Sequence, residues 1–193
     1  MINLVLFGPP GAGKGTQAER LVERYRLFHL STGDIFRRNI KGETELGKLA
    51  KGYIDAGNLV PDDVTIKMLE SEVDQHPEAK GFIFDGFPRT ENQAKALDEF
   101  LENKDTEISL MLALQVKDEE LKKRLLKRAE TSGRSDDADP EIIANRIEVY
   151  KEETAPVANY YNAQNKLREI DGMGSIDEIS QRLYDAIDQY GQQ

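Results

Sequence analysis

Leu4-Val5-Leu6-Phe7-Gly8-Pro9-Pro10-Gly11-Ala12-Gly13-Lys14-Gly15-Thr16 is the stretch on which the fold turns. From Ile2 to Phe7 the residues are β-formers, apolar on both faces, as in a strand buried within a parallel sheet. Gly8 breaks the run. From Lys14 a helical pattern takes over, with Ala18, Leu21, Val22 and Tyr25 at helical spacing. Between strand and helix, Gly8-x-x-x-x-Gly13-Lys14 has the spacing of a phosphate-binding loop. Its glycines let the backbone curl so that successive N–H groups point at an anion. The helix adds the positive end of its dipole, and Lys14 reaches the β- and γ-phosphates as a compact charge. A glycine-rich turn with an exposed lysine is the bland alternative. The strand before and the helix after weigh against it. The usual Ser or Thr ligand to Mg2+ directly after the lysine is displaced: Gly15 intervenes and Thr16 stands one place later.

Outward from this unit, strands keep alternating with helices. Phe28 to Leu30, Gly81 to Asp85, Ile108 to Val116 and Leu167 to Ile170 read as further strands. Helices are expected over Ile35–Lys41, Leu46–Ala56 with Gly57 at its C′ position, from Pro61 to about Val73, and over Thr90–Leu101. Another runs from Asp118 to Arg128, ahead of a polar, turn-rich stretch from Thr131 to Asp139. Asp139-Pro140 supplies an N-cap and first-turn pair, Pro156 kinks or splits the helix that follows, and Ser175-x-x-Glu178 is a capping box before the last helix. The class is α/β, a doubly wound parallel sheet of about five strands with helices on both faces. No linker or repeat divides residues 1–193. The segments 31–60 and 127–137 look like excursions from one domain.

Composition narrows the function. The 193 residues carry 26 Lys and Arg against 36 Asp and Glu, a net charge of −10. An acidic surface repels nucleic-acid backbones and anionic lipid, so neither is an expected partner. There is no cysteine and only His29 and His76, which removes disulfides, thiol nucleophiles and the usual zinc ligand sets. No apolar run is long enough to span a bilayer, and Met1 to Gly8 lacks the features of a signal peptide, so a cytoplasmic location is expected. His29 reads as a structural histidine, His76 as a surface turn residue, and Tyr150, Tyr160, Tyr161 and Tyr184 as helix packing.

At Gly8-Pro9-Pro10-Gly11-Ala12-Gly13-Lys14-Gly15-Thr16 the chain resembles the adenylate kinases, a nucleoside monophosphate kinase family. Ser31-Thr32-Gly33-Asp34-Ile35-Phe36-Arg37 and Gly57-Asn58-Leu59-Val60-Pro61-Asp62 look like the two ends of that family's monophosphate-binding region. Asp85-Gly86-Phe87-Pro88-Arg89-Thr90 with Gln93 resembles its central signature, and Arg124, Arg128, Gly133-Arg134 and Arg146 fall where its lid arginines stand. The resemblance covers nearly the whole chain. It implies the reaction Mg-ATP + AMP ⇌ 2 ADP and Mg2+ as the ion accompanying ATP. It also implies a short lid at 127–137 without zinc. Nothing in the sequence suggests more than a monomer.

The resemblance distributes the residues as follows. Gly11, Ala12, Gly13, Lys14, Gly15, Thr16, Arg124, Arg128 and Gly174 face ATP. Thr32, Arg37, Asn58, Leu59, Val60, Gly86, Phe87, Pro88, Arg89, Gln93, Arg134 and Arg146 face AMP. Lys14, Arg89, Arg128, Arg134 and Arg146 carry the catalysis, Asp85 reaches the Mg2+ through water, and Asp136 and Asp137 organise the lid. Arginine suits such a cleft because its planar fork grips phosphate bidentately. Local alternatives exist for several of these. Arg124 and Arg128 could simply compensate a helix terminus, Thr32 could cap the helix after it, and Gln93 could complete a capping box with Thr90. UMP/CMP kinases resemble the chain too but carry Ala where Thr32 stands, so Thr32 points to AMP. A GTPase-type switch would offer Asn-Lys-x-Asp, which the sequence lacks.

Overall fold

A computed structural model describes residues 1–192. Five parallel strands form one sheet in the order β2-β3-β1-β4-β5. They are β1 (Leu4–Phe7), β2 (Phe28–Ser31), β3 (Phe82–Asp85), β4 (Leu110–Gln115) and β5 (Leu167–Asp171). Period-two alternation sorts the sheet into two faces. Leu4, Leu6, Ile83, Leu110, Leu112 and Leu114 pack on one side with α1 (Lys14–Tyr25) and α9 (Ile176–Tyr190). Val5, Phe7, Phe82, Phe84, Met111 and Ala113 pack on the other, against α4 (Asp62–Asp74), α5 (Glu91–Glu102) and α8 (Val157–Asn162). Burial on both faces is why these strands read as continuous apolar runs.

The chain leaves β1 for the edge strand β2, returns to β3 beside β1, then crosses to β4 on β1's other side. Winding therefore reverses at β1. The crevice beyond the carboxyl ends of β1 and β3 is where such a sheet binds ligands, and Gly8 and Gly86 begin the loops that leave those ends.

Asn3, fully buried, ties the opposite edge together. Its Nδ2 donates to Glu107 O at 2.9 Å and Thr106 Oγ1 at 3.0 Å, and its Oδ1 accepts from the Phe82 N–H at 3.2 Å. Asn3→Ala strands the Phe82 donor and the Glu107 acceptor. The expected cost is roughly 1–3 kcal/mol of stability, read from a urea melt, with the fold retained.

Several local details differ from the sequence expectations. The helix after Lys117, α6 (Asp118–Ser132), continues past Arg128, because Arg128 to Ser132 contains no breaker and Gly133 is the first residue to turn left-handed, at φ +62°. The segment 127–137 is thus helical at its start and closes in a single 3-10 turn, Ser135–Asp137. Thr32 is not a cap. Ser31 Oγ accepts from the Asp34 N–H and caps α2 (Thr32–Lys41), which packs on α3 (Glu45–Asp55). Pro61 stands at the N-cap of α4 rather than within its first turn. Thr90 caps α5 and accepts from the Gln93 N–H, but the Gln93 carboxamide reaches the Arg89 N–H instead of closing the box on Thr90. Asp139 caps α7 (Pro140–Val149), a π-helical turn spans Tyr150–Thr154, and Pro156 separates it from α8, the split its ring dictates.

Candidate active site

Two cavities open along the carboxyl edge of the sheet. The larger, of about 880 Å³, is lined by the glycine loop, Asp85 and the α6 face bearing Arg124 and Arg128. The smaller is lined by Thr32, Asn58, Leu59, Val60, Phe87 and Gln93 among others. They meet at a common wall containing Lys14, Arg37, Arg89 and Arg146. Four cations at one junction, in a protein of net charge −10, mark a place built for anions.

The glycine loop is shaped for this. Gly13 sits at φ +91° as the N-cap of α1, with no side-chain cap bond and no acid in the first turn. The helix's first N–H groups and its positive end are therefore left to a ligand. Lys14 Nζ donates to Gly8 O at 2.9 Å and Pro9 O at 3.2 Å. Burial pushes its ammonium down to about 8, with Arg89, Arg146 and Arg128 adding repulsion that Asp85 partly offsets.

Arg89 Nε donates to Gly86 O at 2.7 Å, and the same carbonyl accepts from Thr32 Oγ1 at 2.9 Å. Burial, followed by the neighbouring Arg146, pushes the Arg89 guanidinium down to about 10. Arg146 Nη1 lies 2.8 Å from Asp137 Oδ1, while Arg128 makes a fork to both Asp137 oxygens at 2.6 and 2.7 Å. Burial opposes ionisation of Asp137, and these arginines more than offset it, so the carboxyl is held below the usual range. Arg37 pairs with Asp34, and Arg134 lies 3.6 Å from the same carboxylate.

The other expected residues fall as follows. Gly11, Ala12, Gly13, Gly15, Thr16 and Gly174 line the larger cleft together with Asp85. His29 Nε2 lies 3.0 Å from Asp85 Oδ2, which orients that carboxylate. Gly86, Phe87 and Pro88 line the smaller cavity, but Arg134 lies on the larger one. Arg124 does not share a partner with Arg128. Its Nη1 donates to Ala12 O at 3.2 Å, its Nη2 to Gly172 O at 2.9 Å, and its Nε to Glu120 at 3.0 Å. It thereby braces the glycine loop against the turn after β5. Gln93 Nε2 donates to Asp62 Oδ1 at 2.9 Å and its Oε1 accepts from the Arg89 N–H at 2.7 Å. Asp62 also accepts from Thr90 Oγ1. Its hold on Gln93 is not legible in the motif that Asp62 ends, because Gln93 stands on another helix.

The family model described as adenylate kinase matches residues 6–166. Over 187 residues the chain is 62% identical to an adenylate kinase of Flavobacterium psychrophilum, covering 97% of this chain and 98% of that one. It is 56% identical to an adenylate kinase of Flavobacterium johnsoniae over 188 residues, covering 97% and 99%. An adenylate kinase of Bacteroides fragilis is 49% identical over 188 residues, at 97% and 99% coverage.

Proposed function

Because the chain belongs to the adenylate kinase family and transfers a phosphoryl group from ATP to AMP, we propose that ATP occupies the larger cleft and AMP the smaller cavity. The observation that carries this assignment is the shared wall of Lys14, Arg37, Arg89 and Arg146, which sets the two phosphate chains head to head. Lys14 and the α1 N–H groups hold the β- and γ-phosphates. Arg89, Arg146 and Arg37 hold the monophosphate, and Arg128 and Arg134 close from the lid side. The attacking group is an already anionic phosphate oxygen, so no general base is required. Rate comes from in-line placement and from cations fixed where charge moves in the transition state.

Asp85, buried and oriented by His29, is a hard oxygen ligand at the end of β3 and fits an ion that arrives with the nucleotide. Among the described residues no three His, Cys, Asp or Glu side chains gather into a cage, so the phosphates would supply most of its ligands. Such an ion would neutralise charge on the β- and γ-oxygens. The lid is held by Asp137 and its two arginines, and we propose that no zinc contributes to it. EDTA is therefore expected to leave the melting temperature of the nucleotide-free protein unchanged while stopping turnover. A chelator-induced fall in melting temperature would show a structural metal. No helix among the described residues is long and apolar enough to cross a membrane, and a cytoplasmic monomer is the proposed form.

One assay tests the substrate assignment: Mg-ATP against AMP, UMP, CMP, GMP and water. Rapid ADP formation only with AMP is expected. Preference for a pyrimidine monophosphate, or equal consumption of ATP with water alone, contradicts it. Thr32 sharpens the comparison. Its hydroxyl proton goes to Gly86 O, which leaves the oxygen free to accept from an exocyclic amine in the smaller cavity. Thr32→Ala is expected to reduce the AMP-to-UMP ratio of kcat/KM by about tenfold or less, the value of one hydrogen bond. An unchanged ratio removes Thr32 from base selection.

A further inference from the structure

Helix α3 ends in a left-handed turn at Gly57, after which its last carbonyls look outside the helix for partners. The Gly57 N–H bonds Ile54 O at 3.0 Å and the Asn58 N–H bonds Tyr53 O at 2.8 Å, the paired closure that a glycine at φ +76° permits. Ala56 O is not used by that closure. It is filled from another element: Asn145 on α7 donates its Nδ2 to Ala56 O at 2.8 Å and to Asn58 Oδ1 at 3.0 Å. The approach is close. A Cβ on Gly57 would stand 2.8 Å from Arg146 Cγ and 3.1 Å from Ile142 O. The stem of Arg146 thus lies along the glycine turn, while its guanidinium lies on the wall shared by the two cavities.

Residues on the two sides of this contact do different work. Asn58, Leu59 and Val60 line the smaller cavity. Arg146 bonds Asp137 and, through it, shares a carboxylate with Arg128. The Asn145 carboxamide links the wall of the acceptor cavity to the helix that carries a phosphate-facing arginine.

We propose that Asn145 is a positioning residue that registers Arg146 on the phosphate junction against the 56–60 wall of the acceptor cavity. It touches neither nucleotide. The two hydrogen bonds fix α7 against that wall, so the place of Arg146 at the junction is set in register with the acceptor cavity. The glycine loop and α6, which build the rest of the donor cleft, make no bond to Asn145. The proposal rests on the assignment of AMP to the smaller cavity.

The test compares Asn145→Leu, which keeps the size but removes the donor, with Asn145→Gln, which keeps a donor on a longer arm. For Asn145→Leu, KM for AMP is expected to rise about tenfold and kcat to fall severalfold, as loss of one or two neutral hydrogen bonds at the acceptor wall would give. KM for ATP should stay within twofold and the melting temperature should hold. Asn145→Gln should recover most of both acceptor effects. A parent protein that fails to convert AMP sinks the functional assignment itself and is distinguishable from the rest. With the parent active, equal rises in KM for AMP and ATP, or unchanged kinetics in Asn145→Leu, overturn the proposal. If Asn145→Leu unfolds, the pair Asn58→Ala and Asn145→Ala replaces it. Non-additive effects on KM for AMP in the double variant support the link, and additive effects overturn it.

Discussion

Replacing Lys14 by alanine is expected to lower kcat on the order of 10²–10³-fold, the loss that one preorganised electrostatic contact supplies. The ammonium is held by Gly8 O and Pro9 O, so it is aimed before any nucleotide arrives. Circular dichroism and the melting temperature should not suffer, because a buried cation among Arg89, Arg146 and Arg128 is a burden to the empty protein. Turnover within threefold of the parent would remove Lys14 from the mechanism. Its pKa gives an independent readout. In the empty protein the ammonium titrates near 8, against an ordinary 10.5, and a bound polyphosphate favours the charged form. Binding a triphosphate at about pH 9 should therefore take up a proton onto Lys14, and this uptake should shrink as the pH falls below about 8, where Lys14 is already charged. Calorimetric titration in two buffers of different ionisation enthalpy measures the difference. Lys14→Ala should abolish it.

The second large effect is expected for Arg89→Ala, with kcat again down on the order of 10²–10³-fold. Arg89 lies on both cavities, so the loss should fall on kcat more than on either KM. Arg89→Lys should rescue little, because an ammonium cannot reproduce the fork that holds Gly86 O with one edge and leaves the other for phosphate. The melting temperature should hold or rise, since burial and Arg146 already disfavour the charge. A variant with parental kcat, or one that loses activity and fold together, would contradict the role.

The parts of this enzyme that were legible in its sequence are those set by neighbours in the chain. The glycine loop is one: strand, turn and helix lie within some twenty residues, and each element's pattern is local. The paired faces of the sheet were legible only as doubly apolar runs. Their order was not, because the placing of β3 and β4 on either side of β1 is decided by helices packing on both faces. The end of α6 was placed at Arg128, ahead of the polar stretch from Thr131, whereas polar residues do not stop a helix and the physical stop is Gly133. A cap at Thr32 stood open as an alternative because either hydroxyl of Ser31-Thr32 could serve, and only the backbone decides for Ser31. Asp62, Asn3 and Asn145 left no signal, since each acts on residues 25 or more positions away and a lone Asp or Asn has many ordinary uses.

The buried carboxylate of Asp137 bears on the entropy of ligand capture. Two long side chains, Arg128 and Arg146, are clamped by it through bonds made wholly within the protein. Each flexible arginine loses roughly 1.5–2 kcal/mol of rotamer freedom when ordered. Here that loss is taken once, during folding, and is offset by charge-assisted bonds to one carboxylate. A phosphate entering the cleft meets guanidiniums already immobilised, so more of its interaction energy is left to distinguish the transition state from the ground state. Asp137→Asn would loosen that clamp. The change should appear in calorimetry as a more unfavourable binding entropy, even where the heat of binding is little altered.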